Sequence, residues 1–213
     1  IPKQLAKDNH KFIFSHVKKG KRSSELEDAL EWLVDAGLVY KLELVSQPEL
    51  PLSFCADASF FKVYLSDVGL LRRKSGVSYK TIMENTEMYR NFKGAFTENF
   101  VLTELLNQRI HPYFWRSGNT AELDFLFEYE DEIVPVEAKA ELNTRAKSYR
   151  QYCRTYHPKY GFKFSMRNTG VHEVEGTKTY SIPLYLIWRL KDFLKVPDIM
   201  LNLRNLKRVR GFL

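Results

Sequence analysis

The stretch AELDFLFEYEDEIVPVEAKA, residues 121–140, decides the fold of this chain. Apolar and polar side chains alternate over residues 121–128 and again over residues 133–140, which is typical of two half-buried strands. The acidic segment 129–132 between them predicts a loop. Outward from this pair, the pattern predicts a helix over 94–108 and a strand over 113–116 before it, then a helix over 144–156 and strands near 162–166 and 183–188. This order predicts an α/β (α+β) domain with a mixed sheet flanked by helices.

Strand alternation also predicts which side chains meet. Leu123, Phe125 and Phe127 are expected on one face of the first strand, and Glu122, Asp124 and Leu126 on the other. On the second strand, Glu137 and Lys139 share a face and lie about 7 Å apart along the chain. If the two strands pair as a hairpin, Asp124 lies beside Glu137.

Glu98 extends this group from the helix predicted over 94–108. It shares a helix face with Val101, Leu102 and Leu105, at spacings of three, four and seven residues. That apolar face is expected to pack against the core. The Glu98 carboxylate would then be partly buried and would need a hydrogen-bond, ion-pair or metal partner. The alternative is that Glu98 occupies an early helical turn, where the helix dipole favours acids.

Converging carboxylates suit a hard divalent cation, because Mg²⁺ prefers carboxylate and water oxygens. A nearby Lys139 can then orient an attacking water or stabilise charge on a phosphate. The pattern alone leaves another interpretation open. Acids and lysines also alternate on exposed faces of ordinary strands, where a surface pair contributes about 0–1 kcal/mol.

The N-terminal part predicts a small helical unit with a strand. Ser24 and Glu27 form a capping box, apolar residues follow at helical spacing to Gly37, and residues 40–44 alternate as a strand. With an earlier helix over 5–17 and a basic turn over 18–22, this order is typical of a winged helix-turn-helix. The second helix is acidic and therefore a poor DNA reader, so a packing or dimerisation role fits equally well. The Pro-rich segment 47–51 places a domain boundary near residue 55.

Several separate motifs resemble, in order, the C-terminal region of a family of bacterial and archaeal AAA+ superfamily ATPases. They are LAK (5–7) through Phe12, LEWL (30–33) with AGLV (36–39), KVY (62–64) with DVGLL (67–71), GAFTENFV (94–101), WR (115–116) with AELDF (121–125), and VEAK (136–139). Asp124 followed by Glu137-Ala138-Lys139 also resembles the PD-(D/E)xK motif of restriction-endonuclease-like enzymes. The resemblance spans residues 1 to about 170 and implies a winged-helix unit followed by a nuclease-like domain. With the boundary near residue 55, we expect these over 1–55 and 56–190, and the basic residues near the chain end predict a basic tail over 191–213.

Carried over by position, the resemblance implies catalytic roles for Glu98, Asp124, Glu137 and Lys139. The three acids would bind Mg²⁺ or Mn²⁺. Glu122 also matches a family acid, without an assigned role, and Leu123 stands where the motif has proline. The chain has no G-x-x-x-x-G-K-[ST] motif, so ATP binding belongs to an N-terminal ATPase domain that precedes this region in the family. We therefore expect the C-terminal part of a larger ATPase.

Charge and composition bear on partners. The formal net charge is +7, and Lys147, Arg150 and Arg154 form a basic stripe on one helix that could follow a phosphate backbone, or simply be solvated. Two cysteines make no disulfide framework, and no apolar run approaches the roughly 20 residues of a membrane span. We expect a cytoplasmic protein without membrane insertion. The leading hypothesis is a metal-dependent nucleic-acid phosphodiesterase module. The alternative is a non-catalytic module that binds DNA, a protein or a second copy and regulates the ATPase domain.

Overall fold

The computed structural model of the protein describes residues 11–17, 23–118, 121–140 and 146–195. Its helices are α1 (Ser23–Asp35), α2 (Val68–Ser75), α3 (Tyr79–Met83), α4 (Glu87–Asn107), α5 (Lys147–Tyr156) and α6 (Leu190–Lys195). Its strands are β1 (Val39–Val45), β2 (Ala56–Leu65), β3 (Tyr113–Ser117), β4 (Ala121–Tyr129), β5 (Glu132–Ala138), β6 (Tyr160–Ser165), β7 (Gly170–Val174) and β8 (Thr177–Pro183). Short 3₁₀ helices cover Phe14–His16, Leu52–Phe54 and Leu184–Arg189.

The eight described strands form one mixed sheet in the order β2-β1-β3-β4-β5-β6-β8-β7. β1 pairs parallel with β3, and β5, β6 and β8 run parallel to one another. The other neighbours are antiparallel. The predicted α/β class with a mixed sheet is confirmed. β1 and β2 lie on either side of the predicted boundary near residue 55, yet they pair in this sheet.

Helices cover the central strands through two apolar clusters. One joins Val101, Leu102 and Leu105 of α4 to Phe125 and Phe127 of β4. The other joins Tyr149, Tyr152 and Cys153 of α5 to Leu123 and Leu126 of the same strand. β4 therefore lies between two helical layers, because its residues contribute to both clusters.

The N-terminal elements agree with the predicted second helix and strand. α1 is followed by Gly37, whose φ of +66° is a left-handed value that glycine adopts easily. Leu30 buries one side of the helix, whereas Trp32 is 77% exposed. Residues 11–17 of the predicted first helix contain only the 3₁₀ turn, and its first part and the basic run 18–22 lie outside the described residues. The winged-helix assignment stays a prediction.

The C-terminal region differs from the sequence-based expectation. The strand predicted near 183–188 is wrong, since the chain there forms the 3₁₀ helix Leu184–Arg189 and the strand before it ends at Pro183. Ile187 and Leu190 are buried three residues apart, while Tyr185 and Trp188 are exposed. This spacing of three suits a 3₁₀ helix and does not suit strand alternation. Residues 190–195 form α6, and the remainder of the predicted basic tail lies outside the described residues.

The hairpin of β7 and β8 was not predicted. Its turn residues Glu175 and Gly176 both have positive φ, at 50° and 81°. Two such residues form the turn that suits a tight hairpin. Within the described segments, no helix combines the length and apolar character that a membrane crossing requires.

Candidate functional site

Glu137 and Lys139 lie at the end of β5, which is enclosed between β4 and β6. Glu137 is 2% exposed, and its Oε1 forms an ion pair with Lys139 Nζ at 2.5 Å. The Lys139 backbone N–H donates to the Phe164 carbonyl at 2.8 Å, so β6 holds this residue just past the strand end. The Lys139 side chain is 34% exposed, so it contacts both the buried Glu137 carboxylate and solvent.

Asp124 meets this segment through its own side chain. Its Oδ2 accepts a hydrogen bond of 2.7 Å from the backbone N–H of Ala138, the residue between Glu137 and Lys139. The structure therefore brings Asp124 next to the E-x-K segment. Asp124 directly precedes Phe125, which pairs with Val136 at this end of the β4–β5 ladder.

A break in alternation surrounds Asp124. Tyr113 of β3 pairs with Leu126 of β4, and Trp115 pairs with Leu123. The two pairs are therefore two residues apart on β3 but three residues apart on β4. One additional residue in a strand is a β-bulge, which re-aims side chains locally. Leu123 consequently packs with Leu126, in the cluster opposite Phe125. The predicted face of Leu123, Phe125 and Phe127 is therefore wrong.

Burial and like charge dominate the electrostatics of the two strand acids. Burial raises the pKa of Asp124 well above its usual range, and the carboxylates of Glu137 and Glu98 raise it further against Lys139 and Lys62. Burial also raises the pKa of Glu137, although Lys139 and Lys163 oppose it. For Lys139, burial favours the neutral amine, but the charge of Glu137, then of Asp124, outweighs it and raises the pKa. A cation placed here would reduce the repulsion between these carboxylates.

Glu98 is part of the same neighbourhood, reached from α4. Its side chain is 26% exposed, and its Oε2 accepts a hydrogen bond of 2.9 Å from Tyr64 Oη. Lys62 Nζ lies 3.9 Å from the same oxygen. The next residue, Asn99, is fully buried and bonds both the N–H and the carbonyl of Leu65, at 3.0 and 2.9 Å. This amide clamp fixes the helix against β2, and with it the position of Glu98.

Two buried lysines of the site were missed by the sequence analysis. Lys62 is 4% exposed and forms an ion pair with Glu122 Oε1 at 2.5 Å. Lys163 is 7% exposed, pairs in register with Glu137 across β5 and β6, and places its Nζ 4.8 Å from the centre of the Tyr149 ring. Each lysine interrupts an otherwise apolar strand segment, FFKVYL (60–65) and YGFKFS (160–165). A lone lysine in such a run was the available signal, since buried lysines need a partner.

The donor set suits a hard cation, but its arrangement is not that of a finished metal site. Carboxylate oxygens are the ligands that Mg²⁺ and Mn²⁺ prefer. Within the described part of the chain, Glu137 Oε2 is buried without a hydrogen-bond partner. Yet among the same residues no group of three or more His, Cys, Asp or Glu side chains is placed to hold a metal ion. Glu98 Oε2 contacts Tyr64 and Lys62, so one oxygen of this carboxylate already has partners.

The predicted basic stripe lies on α5. Lys147 is exposed, and the Arg150 and Arg154 side chains are 65% and 67% exposed. Both arginines pair with Glu175 in the β7–β8 turn, at 3.6 and 3.1 Å. Together with Ala146 and Gln151, the three cations line an open cleft of about 400 Å³. The stripe is accessible to an anion, which would compete with Glu175 for the arginines.

Two family models match separate parts of the chain. Residues 93–185 match a domain of unknown function (DUF4143). This domain is typically found in proteins associated with AAA ATPases. Residues 1–81 match another domain of unknown function (DUF8612). The comparison with curated proteins found no match, and neither did the comparison with solved structures. The DUF4143 match contains Glu98, Asp124, Glu137 and Lys139, whereas Lys62 lies in the other matched segment.

Proposed function

We propose that this chain is the C-terminal module of an AAA+ type ATPase and that its sheet carries a metal-dependent nucleic-acid phosphodiesterase site. The observation that carries the proposal is the hydrogen bond from Ala138 N–H to Asp124 Oδ2 at 2.7 Å. It places Asp124 beside the E-x-K segment, and this proximity is one condition for a metal site of the PD-(D/E)xK type. The mixed sheet with helices on both sides supports the restriction-endonuclease-like assignment of this region.

Asp124 and Glu137 are the first ligands of the proposed Mg²⁺ or Mn²⁺ ion. Their mutual repulsion favours a shared cation, and so does Glu137 Oε2, which has no hydrogen-bond partner in the part of the chain that the structure describes. Glu98 is the third proposed ligand. The metal would supply Lewis-acid activation of water and of a phosphoryl oxygen. Lys139 is charged, is held by Glu137 and reaches solvent, so it can contact a phosphate oxygen that enters the site.

The partners follow from the same reasoning. An ATPase domain of the same chain is the first, supported by the DUF4143 match. Nucleic acid is the second, with Lys147, Arg150 and Arg154 as the residues that track its backbone. ATP would be bound only by the ATPase domain.

A second candidate function is a non-catalytic interaction module that regulates the ATPase. The structure offers one specific observation for it: lysines and Arg116 already form ion pairs with two of the acids, Glu122 and Glu137. Lys62 pairs with Glu122 at 2.5 Å, Arg116 lies 3.6 Å from the same side chain, and Lys139 pairs with Glu137 at 2.5 Å. These ion pairs form without a metal, and they would then be structural. In this case DNA, a protein or a second copy would be the partner.

A metal and cleavage experiment separates the two candidates. Mn²⁺ binding to the 213-residue chain is measured by calorimetry. Cleavage is followed on labelled single- and double-stranded DNA and RNA with Mn²⁺ or Mg²⁺. The variants are Asp124→Asn, which keeps a hydrogen-bond acceptor for Ala138, and Glu137→Gln. Their matched controls are Asp131→Asn and Glu173→Gln, which change exposed acids.

We expect metal-dependent cleavage by the wild type and both controls, and a loss of at least about 100-fold in Asp124→Asn and Glu137→Gln. Cleavage that persists in Asp124→Asn would assign the activity to another site or a contaminant. Absence of both Mn²⁺ binding and cleavage in the wild type would reject the enzyme and leave the interaction module.

A further inference from the structure

Lys62 stands at the junction of three elements of the candidate site. It lies on β2, and its Nζ is 2.5 Å from Glu122 Oε1 on β4 and 3.9 Å from Glu98 Oε2 on α4. The Phe114 ring of β3 covers it, with the ring centre 4.9 Å from Nζ. With 4% exposure, this ammonium group exchanges little with water and depends on the two carboxylates for stabilisation.

The contacts of Glu98 give Lys62 a specific role. Tyr64 lies two residues further on the same strand and donates to the Glu98 oxygen that faces Lys62. Lys62 and Tyr64 together hold this carboxylate on the β2 side. If Glu98 ligates an ion shared by Asp124 and Glu137, that ion competes with Lys62 for this carboxylate.

We propose that Lys62 is a positioning residue that acts as a resident counter-ion of the acid cluster and limits how tightly a divalent metal binds. This inference rests on the proposed metal site. A lysine charge close to Glu98 and Asp124 repels an incoming cation and competes with it for Glu98. Glu122 moderates the effect, because its carboxylate forms an ion pair with the same ammonium group.

Substitutions at the two members of this ion pair are expected to shift Mn²⁺ affinity in opposite directions. Lys62→Met removes the competing charge and frees Glu98, so we expect Mn²⁺ to bind about tenfold more tightly. Glu122→Gln removes the carboxylate that pairs with Lys62. The Lys62 ammonium then interacts more strongly with Glu98 and Asp124, so Mn²⁺ is expected to bind about tenfold more weakly. Lys62→Arg keeps the charge and is expected to stay within about threefold of wild type. Loss of a merely structural ion pair would weaken binding in both variants.

Mn²⁺ affinity is measured by calorimetry and by electron paramagnetic resonance of free Mn²⁺, without nucleic acid. Lys191→Met and Glu173→Gln serve as controls for net charge, since both residues are exposed and distant in sequence from the cluster. Thermal melting in EDTA verifies that each variant folds. If Lys62→Met does not fold, the Mn²⁺ affinities of Glu122→Gln and Lys62→Arg still test the proposal.

Opposite shifts in Lys62→Met and Glu122→Gln, with unchanged controls, support the proposal. Unchanged or stronger Mn²⁺ binding by Glu122→Gln overturns it, and so does weaker binding by a folded Lys62→Met. The proposed metal site fails separately, if the wild type binds no Mn²⁺ or if Asp124→Asn binds it as well as the wild type. In that case there is no bound metal whose affinity Lys62 could limit, and the proposed role of Lys62 is rejected together with the metal site.

Discussion

Replacing Asp124 with asparagine is expected to stabilise the metal-free protein while removing metal binding. The hydrogen bond from Ala138 N–H to Asp124 Oδ2 can be kept, because an asparagine carbonyl accepts in the same place. What disappears is a half-buried negative charge close to Glu137 and Glu98. The raised pKa of Asp124 means that burial and repulsion together outweigh the attraction of Lys139 and Lys62.

The magnitude follows from Coulomb's law. Side chains that face each other across antiparallel strands carry charges about 5 Å apart, and one like charge at that distance costs about 3 kcal/mol at an effective dielectric constant near 20. The lysines offset part of this, so we expect a net gain of about 1–2 kcal/mol in the free energy of unfolding. For a chain of this size that corresponds to a rise of about 2–8 °C in melting temperature.

The gain depends on pH in a defined direction. A folded-state pKa above the unfolded value near 3.9 means that the native protein holds the Asp124 proton more tightly. That contribution is fully present below about pH 4 and is lost as the pH rises through the raised folded pKa. Asp124→Asn should therefore gain most near pH 8 and little near pH 4.

The assay is calorimetric melting in EDTA at both pH values, with Asp131→Asn as the exposed control. A folded Asp124→Asn that is less stable than wild type at pH 8 would refute the reasoning. So would an equal gain at pH 4 and pH 8.

Two further predictions concern packing around the site and are measured by urea unfolding. Gly161→Ala would place a methyl group 2.8 Å from Pro135 Cγ, 2.9 Å from its carbonyl oxygen, and closer still to Tyr149 Oη, so we expect a loss of about 1–3 kcal/mol. Gly170→Ala has open space and is the control; equal stability of the two variants would contradict the close packing. Asn99→Ala removes both bonds to the Leu65 backbone and is expected to lose about 2–4 kcal/mol. If Asn99→Ala lowers the free energy of unfolding no more than Asn107→Ala, a change at an exposed residue, the two bonds of Asn99 to Leu65 do not stabilise the fold.

Local periodicity predicted the central elements well. Val101, Leu102 and Leu105 are buried on one face of α4, as their helical spacing indicated. β4 and β5 pair as the hairpin that the alternating stretch suggested, and Asp124 reaches the segment of Glu137. These features depend on residues close together in the chain, where spacing determines which side chains share a face.

The features that were missed depend on long-range pairing. Lys62 meets Glu98 and Glu122 only because β1 joins β2 to β3 in the sheet, and no pattern within β2 reveals this order. The bulge at β4 is set by its pairing with β3, so alternation alone assigned Leu123 to the wrong face. The β7–β8 hairpin escaped prediction because β7 is largely exposed and lies at the sheet edge, where apolar alternation is not required.

The bulge has a consequence for how relatives of this chain should be compared. A protein one residue shorter between its counterparts of Leu123 and Leu126 could retain every letter of the D…E-x-K signature. Its strand would alternate without interruption, and either the aspartate or the neighbouring leucine would leave its present surroundings. Strand length here is thus as informative as residue identity. Alignments that close a one-residue gap in this strand would group together proteins with different site geometries.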